Sequence, residues 1–145
     1  MIEEQPIEAV APEALAGRVK VMRDGGWRLV QIGATPLGER TEVNYSFDLN
    51  GRYETLRVEI PGTDGHLSSV SDIYWCAFIY ENELHDLFGI AVDGINIDFK
   101  GKFYNMSVKF PFLCKTPDAV APAPAAATPA AAPAPAAAPA NTPVS

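Results

Sequence analysis

The stretch Ser69-Val-Ser-Asp-Ile-Tyr-Trp-Cys-Ala-Phe-Ile-Tyr-Glu-Asn-Glu-Leu-His-Asp-Leu-Phe-Gly-Ile90 is the longest segment of this chain whose pattern indicates one helix with both ends specified. Ser69 and Asp72 have the form of a capping box, in which a hydroxyl and a carboxylate bind the free N–H groups of a helix start. Gly89 stands where a helix end needs a left-handed residue. We therefore predict a helix over residues 69–90.

Apolar residues cover two sides of this predicted helix. One stripe, at spacings of three and four, consists of Val70, Ile73, Tyr74, Ala77, Glu81, Leu84 and Phe88. A second stripe consists of Cys76, Ile79, Tyr80, Glu83 and Leu87. The narrow polar edge between them holds Asp72, Asn82, His85 and Asp86. Because a helix with two apolar faces needs two covers, we expect its own sheet to supply one and a partner protein the other.

The rest of the chain divides by composition. From Thr116 onward nearly every residue is Ala or Pro, which predicts a disordered tail over residues 116–145. We expect a flexible N-terminus over residues 1–11 and one domain over residues 12–115. The net charge of −7 disfavours a nucleic-acid partner, because phosphate contacts need clustered Lys and Arg. The acidic start does not resemble a secretory signal, and no apolar run is long enough to span a bilayer.

The domain reads as an α+β fold. A short N-terminal helix is predicted from Pro12 to the Gly25-Gly26 pair, with Leu15, Val19 and Met22 as its apolar stripe. Three strands with alternating apolar residues follow, at residues 27–34, 42–49 and 52–60, and Asn50-Gly51 predicts a tight turn between the last two. They form an antiparallel three-stranded meander. After the long helix, residues 94–99 and 103–110 predict one or two further strands.

Candidate chemistry concentrates on the long helix. Glu81 and His85 lie one turn apart and form the core of a possible metal site, as do Asn82 and Asp86. His66 is the only other histidine, so such a site lacks the second histidine of a zinc helix. Cys76 is expected to be a buried apolar side chain, and a disulfide with Cys114 is not expected. The chain thus has no recognisable catalytic, cofactor-binding or metal-binding residue set.

The carboxylates of the long helix need another explanation. Glu81 and Glu83 are two residues apart and point in different directions, so they cannot flank one scissile bond. A carboxylate in an apolar stripe requires a partner. We predict that one of the two pairs across an interface with another chain. The alternative is an internal pair with Arg28, Arg52 or Arg57.

A family resemblance rests on the same helix. Ser69-Val70-Ser71-Asp72-Ile73-Tyr74, Ala77 and Glu81-x-Glu83-x-x-Asp86-Leu87-Phe88-Gly89-Ile90 resemble the signature of the thirty-kilodalton subunit of respiratory complex I. Asn82 departs from the arginine of that pattern, and the downstream arginine-rich block is missing. In its place stands Asn96-Ile-Asp-Phe-Lys-Gly-Lys-Phe-Tyr104, which resembles the small peripheral subunit of Ech-type, energy-converting nickel-iron hydrogenases.

The resemblance implies a non-catalytic subunit without a cofactor of its own, on the cytoplasmic face of a membrane and attached indirectly through integral subunits. Its partners would be the large nickel-iron subunit and the small iron–sulfur subunit of a complex that couples ferredoxin-linked hydrogen metabolism to ion translocation. The expected interface residues are Tyr74, Phe78, Glu81, Glu83, Asp86, Phe88, Phe99, Phe103 and Tyr104.

Two alternatives stay open. Within the family, the chain would instead serve a respiratory NADH-, F420H2- or methanophenazine-type dehydrogenase complex. From a different class, it would be a small standalone metal-dependent hydrolase that uses Glu81 and His85.

Overall fold

The computed structural model describes residues 5–62 and 64–113, so the predicted tail and Cys114 lie outside the described residues. In chain order the elements are β1 (Ile7–Ala9), a 3-10 turn (Pro12–Ala14), α1 (Leu15–Asp24), β2 (Arg28–Leu37), β3 (Arg40–Leu49), β4 (Arg52–Pro61), β5 (His66–Ser68), α2 (Ala77–Phe88) and β6 (Ala91–Asp93). The α+β class, with its N-terminal helix, three-stranded meander, second helix and further strands, is confirmed. Neither helix of the described chain is long and apolar enough to cross a membrane.

The main sheet has the strand order β1-β4-β3-β2. Strands β2, β3 and β4 form the antiparallel meander, and β1 adds to β4 in parallel. The turn between β3 and β4 has φ of 53° at Asn50 and 85° at Gly51, as the Asn-Gly signal predicts. The side chain of Asp48 accepts a hydrogen bond from the Gly51 N–H at 2.9 Å and so fixes this turn.

Strand β2 departs from the predicted strict alternation. The pairing register with β3 shifts between Leu29 and Gln31, which marks a β-bulge at Val30. As a result Leu29 and Ile32, three residues apart, both face the core and are buried. A simple period of two would have placed them on opposite faces.

Both helices cover the same face of the sheet. The inner faces of β3 and β4 contribute Val43, Tyr45, Phe47, Leu56 and Val58 to one buried cluster. That cluster also contains Leu15, Val19 and Met22 of α1 and Ala77 and Leu84 of α2. Strand β1 lies within the range expected to be flexible, and Glu8 on it pairs with Arg18 of α1. The sheet is therefore a platform with helices on one side only.

The long helix is shorter than predicted. It begins at Ala77 with Cys76 at its N-cap, and residues 69–76 form turns. The Ser69 hydroxyl does not cap a helix because it bonds the side chain of Glu81. Cys76 is exposed, contrary to the expectation of burial. The predicted end is confirmed, since Gly89 has φ of 69° and its N–H bonds the His85 carbonyl.

The segment after β6 contains none of the predicted strands within its described residues. Residues 96–112, here called the arm, consist of turns and bends. Positive φ at Lys100, Gly101 and Phe110 interrupts any extended course. The short strands β5 and β6 lie just before and after α2 and pair in parallel instead. The arm is therefore held by α2 rather than by a sheet.

The two glycines Gly89 and Gly17 should respond in opposite ways to alanine. At Gly89 a Cβ would meet the Phe110 ring at 3.1 Å in a left-handed backbone conformation, so Gly89→Ala should destabilise the domain by about 1–2 kcal/mol. At Gly17 nothing lies within 4 Å of the added Cβ, and Gly17→Ala should stabilise α1 by about 0.5–1 kcal/mol. Urea unfolding of both variants provides the measurement. Equal effects of the two substitutions would contradict this assignment.

Candidate functional site

Three polar side chains of helix α2 are buried. Glu81 is 0% exposed, Asn82 2% and Asp86 4%. Burial of an amide or carboxylate is costly unless the group is hydrogen-bonded. Two of these residues, Asn82 and Asp86, belong to the edge that the sequence pattern assigned to the polar side of the helix. What they bond therefore decides what covers α2.

Glu81 bonds the segment that leads into α2. Its Oε1 accepts a hydrogen bond from the Val70 N–H at 2.6 Å, and its Oε2 accepts one from the Ser69 hydroxyl at 2.6 Å. The carboxylate thereby folds residues 69–76 back onto the first turns of the helix. Its partners are a hydroxyl and an amide rather than any of the three arginines considered from the sequence.

A relay of hydrogen bonds continues from Glu81 to the arm. The hydroxyls of Ser69 and Ser71 lie 2.7 Å apart, and the Ser71 hydroxyl accepts from the Asn96 N–H at 3.0 Å. The Asn96 side chain also donates to the Ser71 carbonyl at 2.9 Å. The start of the arm is thus connected to the buried carboxylate through two serines.

Burial raises the pKa of Glu81, and the bonds from Ser69 and Val70 offset part of that effect. The Tyr45 hydroxyl is buried without a hydrogen-bond partner in the described chain. Burial first, and the charge of Glu81 second, raise the pKa of Tyr45. Both polar groups are buried within a largely apolar core.

The Asn82 side chain binds main-chain groups of the arm. Its side-chain amide donates to the carbonyls of Phe78 at 2.7 Å and Ile97 at 2.8 Å. Its Oδ1 accepts from the Phe99 N–H at 2.8 Å. Because both amide protons and the oxygen are bonded, a different side chain at this position would leave main-chain groups without partners.

Glu83 and Asp86 of α2 also bind the arm, both at Tyr104. Asp86 Oδ2 accepts from the Tyr104 N–H at 2.9 Å, and its Oδ1 lies 3.0 Å from Nδ1 of His85. The Tyr104 hydroxyl donates to Glu83 at 3.0 Å, and this bond is the largest cause of the raised pKa of Tyr104. The arm then returns to the helix end, where the Phe112 N–H bonds the Leu87 carbonyl at 2.9 Å.

The described residues contain no cluster of three or more His, Cys, Asp or Glu side chains that could hold a metal ion. Both oxygens of Glu81 are occupied by Ser69 and Val70, and Nδ1 of His85 bonds Asp86. The geometry therefore does not bring Glu81 and His85 together as metal ligands. Arg28 and Arg57 pair with Asp48 and Glu42 instead of Glu81.

The residues expected at an interface fall into two groups. Tyr74 and Glu81 are interior, and the Tyr74 hydroxyl donates to the Trp27 carbonyl at 2.6 Å. Three arm aromatics form one cluster, in which the rings of Phe99 and Phe103 are tilted with centroids 5.3 Å apart and those of Phe103 and Tyr104 meet edge to face with centroids 4.8 Å apart. Both Phe99 and Tyr104 are 40% exposed. The remaining expected residues lie on α2, where Glu83, Asp86 and Phe88 contact the arm and Phe78 packs against Trp75.

Further exposed apolar residues near α2 and in the arm were not among the expected interface residues. They are Trp75, Ile79, Ile97, Val108 and Phe112. Trp75 is 62% exposed and packs edge-on against Phe78, with ring centroids 6.0 Å apart. Ile79 belongs to the second apolar stripe, for which a cover from a partner protein is expected, and it is 43% exposed. Trp75 lies just before the start of α2, whereas Phe112 packs against Phe88 at its end.

A model of the family described as respiratory-chain NADH dehydrogenase, 30 Kd subunit, matches residues 9–100. The chain belongs to this family. The match includes both helices, the meander and the first residues of the arm. The resemblance read from the helix motif is confirmed at the level of the family. No curated protein matches the chain.

Two solved structures are similar to the fold. A chain of the membrane-bound sulfane sulfur reductase, an archaeal respiratory membrane complex, aligns with a TM-score of 0.61 and 21% identity over 69% of this chain and 64% of that chain. The trypsin-resistant fragment (1-134) of Nqo5 aligns with a TM-score of 0.55 and 25% identity over 63% of this chain and 80% of that chain. The present chain therefore spans about 64% of the length of the first of these.

Glu81→Gln should change how stability depends on pH. Because the folded pKa of Glu81 is raised above 4.5, the folded state retains the proton to higher pH than the unfolded state. The contribution of Glu81 to stability is thus fully present below pH 4.5 and is lost as pH rises through its folded pKa. The free energy of unfolding of wild type minus that of Glu81→Gln, measured by urea unfolding, should therefore fall as pH rises. A difference that grows with pH would refute the assignment.

Asn82→Ala should release the arm without unfolding the sheet. The substitution removes the three hydrogen bonds to Phe78, Ile97 and Phe99, at a local cost of about 2–3 kcal/mol. Hydrogen exchange at the Phe99 and Tyr104 amides should accelerate, while exchange in the meander stays unchanged. Glu83→Gln, which keeps an acceptor for Tyr104, serves as control. Unchanged protection at Phe99 would show that Asn82 does not hold the arm.

Proposed function

We propose that this chain is a non-catalytic peripheral subunit of an Ech-type, energy-converting nickel-iron hydrogenase complex. In this role it braces the catalytic large subunit and the iron–sulfur small subunit of a complex that links ferredoxin-dependent hydrogen metabolism to ion translocation. The observation that carries the proposal is an arm of exposed aromatic residues whose main chain is bonded to Asn82 and Asp86 of α2, in a chain that belongs to a complex I subunit family.

Preorganisation of the arm supports a binding role. Asn82 and Asp86 bond main-chain groups of the arm at Phe99 and Tyr104. A segment that is already ordered loses less conformational entropy when a partner binds. Exposed aromatic side chains supply large contact area at low entropic cost and are enriched in protein interfaces. The arm therefore has the properties of a rigid docking surface.

The proposed interface is formed by the expected residues that reach the surface. Phe99, Phe103 and Tyr104 make the contact from the arm, and Phe78 and Phe88 extend it along α2. Glu83 sets the orientation of the Tyr104 ring through its hydroxyl. Tyr74, Glu81 and Asp86 act from beneath, because their side chains hold the surface segments in position.

The proposal assigns the nickel-iron centre and the iron–sulfur clusters to other subunits. The carboxylates of this chain that could have bound a metal hold main-chain groups instead. Attachment to the cytoplasmic face of the membrane would come through integral subunits of the complex. A chain of similar fold occurs in an archaeal respiratory membrane complex.

A second candidate within the family is the equivalent subunit of a respiratory NADH-type or methanophenazine-type dehydrogenase. The observation that favours it is the likeness to the Nqo5 fragment at 25% identity, together with the description of the matched family. The feature that favours the hydrogenase is the first part of the arm, Asn96–Tyr104, with its Phe-Lys-Gly-Lys-Phe-Tyr sequence. The two candidates use the same docking surface and differ in the complex that receives it.

Affinity purification of the tagged full chain from the native membrane fraction separates these candidates. The hydrogenase proposal expects a nickel-iron large subunit and an iron–sulfur small subunit to co-purify and to be identified by mass spectrometry. Quinone- or methanophenazine-reducing dehydrogenase subunits would support the second candidate. Recovery of the chain as a monomer would contradict both. A Phe99→Ala/Phe103→Ala variant should recover at least tenfold less partner, and Val21→Ala, at an exposed apolar residue of α1, should recover as much as wild type.

A further inference from the structure

The basic residues of the chain fall into two groups that differ in their partners. Ahead of the arm, the described Arg and Lys side chains engage internal groups. The ion pairs are Arg18–Glu8, Lys20–Asp24, Arg28–Asp48, Arg40–Glu42, Arg52–Glu54 and Arg57–Glu42, and Arg23 stacks over the Tyr74 ring. In the arm, Lys100, Lys102 and Lys109 are exposed, and none has a salt bridge to a carboxylate among residues 5–62 and 64–113.

The arm thus carries a charge opposite to that of the chain. Its three lysines stand against one acidic residue, Asp98, whereas the whole chain has a net charge of −7. The Asp98 side chain accepts a hydrogen bond from the Lys100 N–H at 2.7 Å and so serves the local turn. A basic segment on an acidic protein is positioned to attract a negatively charged partner surface.

A cavity lies at the centre of this basic segment. It has a volume of about 300 Å³ and opens between α2 and the arm. Lys100, Lys109 and His85 line it together with the apolar side chains of Val108 and Phe110. Asp86 also reaches this cavity, but its oxygens bond the Tyr104 N–H and lie beside His85. The ammonium groups of Lys100 and Lys109, beside the apolar side chains of Val108 and Phe110, suit a carboxylate carried on a short hydrocarbon stem.

We propose that the arm docks on an acidic patch of its partner protein, with an Asp or Glu side chain of that partner entering the cavity between Lys100 and Lys109. This inference rests on the proposed function, since it specifies the chemistry of the partner surface that the arm meets. Phe99 and Phe103 supply the apolar contact beside the ion pairs. A bilayer of anionic lipid is the less suitable occupant, because the remainder of the chain is acidic and would be repelled by it.

Zero-length carbodiimide crosslinking of the assembled complex tests the contact directly. The expected result is an amide bond between Lys100 or Lys109 and an Asp or Glu of a co-purified subunit, identified by mass spectrometry. Crosslinks from these lysines only to carboxylates of the same chain would overturn the proposal. Absence of any crosslink at these two lysines, while Lys20 crosslinks to Asp24, would overturn it as well.

Charge reversal of the three lysines provides a second test. Lys100→Glu/Lys102→Glu/Lys109→Glu in the full chain should weaken partner binding at least tenfold, and the Gln triple variant should weaken it less. Wild-type binding should weaken with added salt, because exposed ion pairs are screened. Lys20→Glu, at an exposed lysine outside the arm, should bind as wild type. Circular dichroism verifies that each variant folds.

The outcomes separate this proposal from the function on which it depends. If wild type assembles with oxidoreductase subunits and the Glu triple variant assembles equally well, the charge proposal fails and the proposed function stands. If wild type recovers no such subunit, both fail. Binding of wild type to phosphatidylglycerol vesicles that the triple variant loses, with assembly unchanged, would assign the lysines to lipid and overturn the proposal. A wild-type dimer that the triple variant abolishes, again with assembly unchanged, would assign them to a second copy and overturn it too.

Discussion

The need to satisfy buried polar groups on α2 determines how the second half of this chain is arranged. Glu81, Asn82 and Asp86 lie inside the protein, and a buried carboxylate or amide without partners would destabilise the fold. The nearby chain supplies those partners from two directions. The segment before α2 bonds Glu81, and the arm after β6 bonds Asn82 and Asp86. One helix thereby fixes two irregular segments that have no sheet to pair with.

This arrangement divides the work between the two layers of the fold. The meander and α1 form an apolar core of ordinary composition and hold α2 in place. The polar side of α2 then sets the path of the arm, which carries the exposed aromatic rings and the lysines. The bonds from Asn82 and Asp86 reach main-chain groups of the arm, at Ile97, Phe99 and Tyr104. The exposed side chains of Phe99 and of the arm lysines therefore stay available for a partner, whereas the Tyr104 hydroxyl is bonded to Glu83.

The carboxylates of α2 show how a functional interpretation depends on tertiary contacts. From the sequence, one of Glu81 and Glu83 was expected to pair with another chain or with an arginine. The structure gives Glu81 internal partners, a serine hydroxyl and an amide, and gives Glu83 the Tyr104 hydroxyl. The cationic groups that lack an internal partner in the described chain lie instead on the arm. Charge complementarity with a partner is therefore assigned to lysines of this chain rather than to its glutamates.

The sequence by itself determined the features that follow from local chemistry. Alternating apolar residues specified the three strands of the meander, the Asn50-Gly51 pair specified a turn that needs positive φ, and Gly89 specified the left-handed end of α2. The motif on α2 also identified the family. The one-residue shift in strand register at Val30 could not be predicted from the sequence, because the bulge depends on pairing with β3 rather than on the residues of β2 alone.

Only the tertiary structure decided where α2 begins and what covers it. Ser69 has the residue type of a helix cap, but Glu81 lies close enough to take its hydroxyl bond and the Val70 N–H. Asn82 and Asp86 have the composition of a solvent-facing edge, but the arm returns over them and bonds them through its main chain. The type of a polar side chain determines which hydrogen bonds it can form. Which partner it bonds depends on the segments that the fold brings next to it, and these are distant in sequence.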